Sequence, residues 1–125
     1  MPRFQKHEHL RKPAEFDLVY ARRRSAADSW LIVYAKENAL PFARIGLSVS
    51  RKYGGAVQRN RLRRLYKEAF RLTRDELPTG LDIVLIPRSK DEPTLADIQH
   101  SLGKLLKQLD KKIRREAAAQ PEAVP

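Results

Sequence analysis

Between Arg51 and Arg74 the chain carries nine Lys/Arg residues (Arg51, Lys52, Arg59, Arg61, Arg63, Arg64, Lys67, Arg71 and Arg74) against a single acid, Glu68. Apolar residues recur through the same stretch at helical spacing, and that combination leaves it few ways to fold. Taking about 100° per residue from Arg63, the side chains of Asn60, Arg63, Arg64, Lys67, Arg71 and Arg74 fall within roughly 0° to 100°. Leu62, Leu65, Tyr66, Ala69, Phe70 and Leu72 occupy roughly 180° to 340°. Arg59 and Arg61 flank the apolar arc. Such a helix must bury one side against other elements and keep the other in water.

The cations are too one-sided for a merely solvated face. Like charges at i, i+3 and i+4 repel by a few tenths of a kcal/mol per pair, and Glu68 relieves little of it. The stretch holds +8 of the chain's formal +11. A field this localised is the footprint of a polyanion partner. Arginine outnumbers lysine here seven to two, which suits bidentate phosphate contacts and stacking on bases. Gly54-Gly55 ahead of the helix permits a positive φ or a close backbone approach.

The rest of the chain bounds the setting. At 125 residues with 42% hydrophobic content it suits one domain with a real core. Cysteine is absent, which excludes disulfides and Cys-based zinc sites and points to a reducing compartment. No apolar run reaches the roughly 18 residues that span a bilayer, and the N-terminus lacks the continuous apolar stretch of a secretory signal. A cytoplasmic protein with no membrane partner is expected.

Residues 1–12 read as a basic flexible arm, 13–115 as one polyanion-binding domain, which the resemblance given below makes RNA-binding, and 116–125 as a disordered tail. Pro13 opens a short helix with Phe16, Val19 and Tyr20 on one side. Trp30 to Ala35 reads as a strand apolar on both faces. Arg44 to Ser50 alternates, with Ile45, Leu47 and Val49 inward. The short connection between these two predicts an antiparallel pair, and residues 29–50 leave room for an extra strand. After the basic helix, Leu81 to Pro87 reads as a buried strand. Thr94 and Asp97 resemble a capping box ahead of a helix with Leu95, Ile98, Leu102, Leu105, Leu106, Leu109 and Ile113 on one stripe. The order α-β-β-α-β-α predicts an α+β or α/β sandwich with helices on the sheet.

No catalytic set stands out. His7, His9 and His100 lack partners at recurring spacing, and Asp82, Asp91, Glu92 and Asp97 scatter around turns and a cap. No Ser-His-Asp, H-E-x-x-H or phosphate-loop pattern occurs. A protein nuclease needs acids to hold its metals, whereas this chain concentrates cations.

The run GGAVQRNRLRRLYKEAFR closely resembles the signature of the protein subunit of bacterial ribonuclease P. Arg59-Asn60-Arg61 matches its Arg-Asn-Arg core and Arg63-Arg64 the following basic pair. RKPAEFDLVY, WLIVYA, RIGLSVSRK and ELPTGLDIVLIPR are similar to further family segments, so the likeness spans roughly residues 8–110. Tyr53 and Gly55 depart from the family's commonest residues.

The resemblance implies a two-layer α–β sandwich of the ribosomal protein S5 domain 2-like type. It also implies a left-handed β-α-β crossover through the basic helix, where general chirality rules expect a right-handed one. The implied function is a subunit of an endoribonuclease that removes the 5′ leader from precursor tRNA and leaves a 5′-phosphate. The chemistry belongs to a catalytic RNA subunit, with Mg²⁺ held mainly by that RNA and the substrate, and with no protein partner required.

By the same resemblance Arg51, Lys52, Arg59, Asn60, Arg61, Arg63, Arg64, Lys67 and Arg71 meet the catalytic RNA. A cleft lined by Phe16, Tyr20, Tyr34, Ser48, Ser50 and Arg88 takes the single-stranded leader. The residues alone read Phe16, Val19 and Tyr20 as one core stripe. The resemblance moves Phe16 and Tyr20 to the cleft and leaves Val19, Trp30 and Phe70 in the core. The competing readings are a structural RNA-binding protein of ribosomal type and a DNA- or membrane-surface protein. Strands flanking the basic helix disfavour a helix-turn-helix, and its apolar arc is needed to cover the sheet.

Overall fold

A computed structural model of the chain describes residues 6–89 and 91–119. Its elements are α1 (Pro13–Ala21), β1 (Ser25–Ala27), β2 (Leu31–Glu37), β3 (Arg44–Leu47), α2 (Ala56–Thr73), β4 (Leu81–Pro87) and α3 (Leu95–Ala119). The four strands form one mixed sheet in the order β1-β2-β4-β3. β1 pairs with β2 and β2 with β4 antiparallel, while β3 and β4 run parallel. The β-α-β unit through the basic helix is therefore present, with α2 joining two neighbouring parallel strands.

Strand alternation divides the sheet into two faces. Leu31, Val33, Ala35, Ile45, Leu81, Ile83 and Leu85 meet α2 and α3 in the main core. On that side α2 buries Tyr66, Ala69 and Phe70, and α3 buries Ile98, Leu102, Leu105, Leu106, Leu109 and Ile113. These are the stripes that helical periodicity predicts. The opposite face carries a smaller cluster, in which α1 and the preceding segment set Val19 and Leu10 on Val84, with Phe16, Tyr20, Tyr34 and Ile86 half-buried around them. Burial of Tyr66 pushes its phenol pKa upward, so the hydroxyl stays protonated.

Polar contacts lock the layers together. Arg44 Nε and Nη2 grip the buried Asp82 carboxylate at 2.8 and 2.6 Å, and its Nη1 reaches Glu15 on α1 at 3.3 Å. At the start of α3, the Thr94 N–H donates to Asp97 at 2.8 Å and the Asp97 N–H to Thr94 Oγ1 at 3.1 Å. That is the capping box expected from the sequence.

Four sequence expectations change. β2 and β3 are not partners, because β4, buried along nearly its whole length, lies between them; a strand apolar on both faces belongs in the middle of a sheet. The extra strand falls at Ser25–Ala27, ahead of residues 29–50. Within the expected arm, residues 6–10 run along β3: Lys6–Glu8 forms a 3-10 turn, His9 bridges to Ile45, and the Leu10 N–H donates to Ile45 O at 2.8 Å. Glu8 and Leu10 are buried. The front of the expected tail is also structured, since α3 continues to Ala119 and Glu116 pairs with Arg24 Nε at 2.6 Å. Residues 1–5 and 120–125 lie outside the described residues. No helix among the described residues is long and apolar enough to cross a membrane.

Candidate nucleic-acid interface

The cation face of α2 grades from half-buried to open. Its buried residues centre on Tyr66, Ala69, Phe70 and Thr73, so cations nearest that arc, Arg63 and Arg74, are half-buried while Arg64 is exposed. Arg63 Nη1 donates to Asn60 Oδ1 at 3.1 Å, which steadies both side chains of the motif. Arg59 is half-buried, and its Nε is buried with no acceptor among the described residues. An unpaired buried donor costs about 1–3 kcal/mol, a cost that a phosphate oxygen would relieve.

Not every cation of the helix is available. Arg71 is bonded to Glu68, one turn back at i−3. Arg74 is bonded to the buried carboxylate of Glu8, so it ties the N-terminal segment to the end of α2. Arg51 and Lys52 sit exposed on a 3-10 turn just before α2, with Lys52 Nζ 5.3 Å from the Tyr53 ring centre. Gly54 closes that turn at φ 117°, a conformation open to glycine and strained for other residues.

On the sheet face opposite the main core, Tyr20 and Tyr34 meet edge to face, their ring centroids 5.1 Å apart. β4 pairing puts Tyr34 opposite Val84 and Ile32 opposite Ile86, and Gly46 on β3 completes the Tyr34–Val84 row. α1 stands over one part of this face, and the half-buried Ile32 and Ile86 floor the part beside it. Of the remaining residues expected here, the Ser48 N–H is bonded to Leu85 O at 3.0 Å and Ser50 is exposed just beyond. Arg88 lies past the end of β4, where its Nη1 donates to Asp28 O at 3.2 Å. It belongs to the β1–β2 turn rather than to the tyrosine pair.

The two expected surfaces meet at one point. A pocket of roughly 420 Å³ is lined by Phe16 from α1, Gly46 from β3, Arg63 and Lys67 from α2, and His9 and Arg11 from the N-terminal segment. Phe16 of the aromatic face and Arg63 and Lys67 of the cation ridge therefore share one concavity, which Tyr20 and Tyr34 do not line. Sequence reasoning missed His9, Leu10, Arg11 and Gly46. Gly46 was detectable, because inward Ile45 and Leu47 turn it toward α1. Nothing in the pattern of residues 9–11 signals their place. Burial, followed by the charges of Lys67 and Arg11 and opposed by Glu8, holds the His9 pKa below its ordinary value.

A second cavity, of roughly 550 Å³, opens on the other side of α2. Trp30, Tyr53 and Leu65 line it, and Arg61 faces Glu92 across it at 3.6 Å.

The family model for Ribonuclease P matches residues 4–110. The ribonuclease P protein component of Clostridioides difficile (strain 630) is 42% identical over 109 residues, covering 86% of this chain and 96% of that one. Its counterpart in Thermotoga maritima is 38% identical over 87 residues, covering 70% and 74%. Among solved structures, the RNase P protein from Thermotoga maritima superposes with a TM-score of 0.74 at 33% identity, over 81% of this chain and 96% of that one. The RNase P protein of Staphylococcus aureus does so at 0.70 and 35% identity, over 81% and 94%. Likeness of this extent disfavours the ribosomal-type RNA binder. It runs through α1, the whole sheet and α2, and with these matches the chain belongs to the ribonuclease P protein family.

Proposed function

We propose that this chain is the protein component of a ribonuclease P ribonucleoprotein, assisting an RNA subunit that cleaves the 5′ leader from precursor tRNA. The observation that carries the reading is the shared pocket, where Phe16 of the aromatic face meets Arg63 and Lys67 of the cation face. One concavity then receives a single-stranded leader on one side and the catalytic RNA on the other. Leader bases stack on Phe16, Tyr20 and Tyr34, at about 1–3 kcal/mol per base and with little sequence preference. Arg51, Lys52, Arg59, Arg61, Arg63, Arg64 and Lys67 neutralise phosphates of the RNA subunit, with Asn60 orienting Arg63. By this geometry Arg71 and Arg88 contribute less, being held by Glu68 and Asp28.

Among the described residues the protein's own acids do not gather into a Mg²⁺ cage, and no three His, Asp or Glu side chains come together. Asp82, Glu8 and Glu68 are each engaged by an arginine. Mg²⁺ in the particle is accordingly assigned to phosphates of the RNA subunit and the substrate, and the protein lowers the concentration needed by screening those phosphates. Adding the purified chain to a bacterial ribonuclease P RNA at low Mg²⁺ tests the reading. Cleavage of precursor tRNA should rise, and no stimulation would reject it.

A further inference from the structure

A second cationic face lies on α3. With about 100° per residue and Lys104 at zero, Lys104, Lys107, Lys111 and Arg115 fall within roughly 80° of one another, with Lys112 and Arg114 on either side. All six are exposed. The buried residues Leu102, Leu105, Leu106, Leu109 and Ile113 fall on the opposite arc, at roughly 100° to 200°. From Lys104 to Arg115 the row runs about 16 Å along the helix.

Ordinary reasons for such a row are missing. The helix dipole favours cations only in the last turn, and the last turn of α3 holds none. The acid within the row, Asp110, is taken by Arg114 at 3.0 Å, and Lys104 reaches Asp28 at 3.3 Å. Lys107, Lys111, Lys112 and Arg115 make no ion pair among the described residues, and they repel one another at i, i+3 and i+4. Acids elsewhere between residues 75 and 125 cancel these charges in the sum, which conceals the cluster.

We propose that the exposed face of α3 is a second RNA-binding surface, which grips the phosphate backbone of an RNA segment other than the one on α2. The proposal rests on the ribonuclease P reading and adds a partner surface to it. α3 packs over β1 and β2, whereas the α2 pocket opens at β3, so the two cation faces belong to opposite edges of the sheet. With a separate RNA segment on each row, the protein becomes a clamp between the two. The chemistry differs as well. α2 is arginine-rich, while the α3 row is mostly lysine, a point charge suited to phosphates rather than to bidentate or stacked contacts. A membrane surface fits less well, because the large exposed apolar residues among those described, Leu18 and Val57, sit on α1 and α2 and none flanks the α3 row for insertion.

Limited lysine acetylation of the reconstituted particle, read by mass spectrometry, tests the clamp without a mutation. Lys107, Lys111 and Lys112 should lose reactivity several-fold on binding ribonuclease P RNA, alongside Lys67 of α2. Protection of Lys67 with the α3 lysines reacting as in the free protein overturns this proposal and leaves the α2 reading intact. Protection of neither overturns both. Protection of the α3 lysines by phosphatidylserine vesicles but not by RNA also overturns it. In parallel, the Lys107→Gln/Lys111→Gln/Arg115→Gln variant, altered only at exposed positions, should lower the log–log salt slope of RNA binding by about 2. An unchanged slope rejects the second surface.

Discussion

The Phe16 ring occupies the space that a side chain at Gly46 would need: a Cβ built on Gly46 lies 2.9 Å from Phe16 Cε2 and 3.0 Å from Leu10 Cβ. Strand β3 approaches α1 and the N-terminal segment closely because residue 46 is glycine. Gly46→Ala should push the ring out of its notch at a cost of about 1–3 kcal/mol. Binding of leader-bearing precursor tRNA should weaken, while binding of mature tRNA changes little. Phe16→Ala should give the same pattern by removing the stacking surface. Titrations of both tRNA forms against the reconstituted particle check this, and equal losses would place the leader elsewhere.

Arg63 and Arg64 offer a contrast between neighbours. Arg63 is half-buried, bonded to Asn60 and set in the shared pocket, whereas Arg64 is exposed. Each neutralised phosphate contributes roughly 0.7–0.9 to the log–log salt slope. Arg63→Ala and Arg64→Ala should therefore each flatten that slope by about one, measured as RNA affinity across a salt series. Arg71→Ala should flatten it less, because Glu68 already holds that guanidinium. Slopes unchanged in all three variants would mean that the ridge faces solvent in the particle.

Much of this arrangement was legible in the sequence because it is periodic. The opposed arcs of α2, the stripe of α3 and the alternation of Ile45 and Leu47 each follow from one repeat length, and each matches the burial. Strand pairing was not legible, since a short link between residues 35 and 44 favours adjacency. Only the demand that β4 be covered on both sides separates β2 from β3. The N-terminal segment was misread for a related reason. Leu10 is one apolar residue among charges and carries no period, yet a backbone bond to Ile45 and the buried Glu8–Arg74 pair hold that segment in place. Long-range ion pairs leave no trace in a local pattern.

That pair yields a stability prediction. Arg74→Ala leaves the Glu8 carboxylate, 3% exposed, without its guanidinium. Removing one partner of a buried pair costs about 3–5 kcal/mol, and partial exposure of Arg74 places this case at the lower end. Glu8→Gln/Arg74→Met, which removes both charges, should recover part of the loss. Urea unfolding of the three proteins measures it. If the double variant is no more stable than Arg74→Ala, the pair does not anchor the segment.

His9 gives the pocket a pH dependence of defined sign. Its pKa in the folded protein lies below the ordinary 6.5, through burial first and then the charges of Lys67 and Arg11, with Glu8 opposing. The unfolded chain thus takes up the proton first, so the free protein loses stability as pH falls through about 6.5 and toward the lower folded value. A phosphate in the pocket reverses the field, because an anion beside the imidazole favours its charged form. RNA binding should then take up a proton, and affinity at constant salt should rise between about pH 8 and about pH 6. His9→Asn should remove both effects: its stability should vary less with pH near 6.5, and its RNA affinity should lose the acid-side gain. Binding isotherms and urea melts over that range decide it. An acid-side gain that persists in the variant would assign the proton to another group, and with it the phosphate to another site.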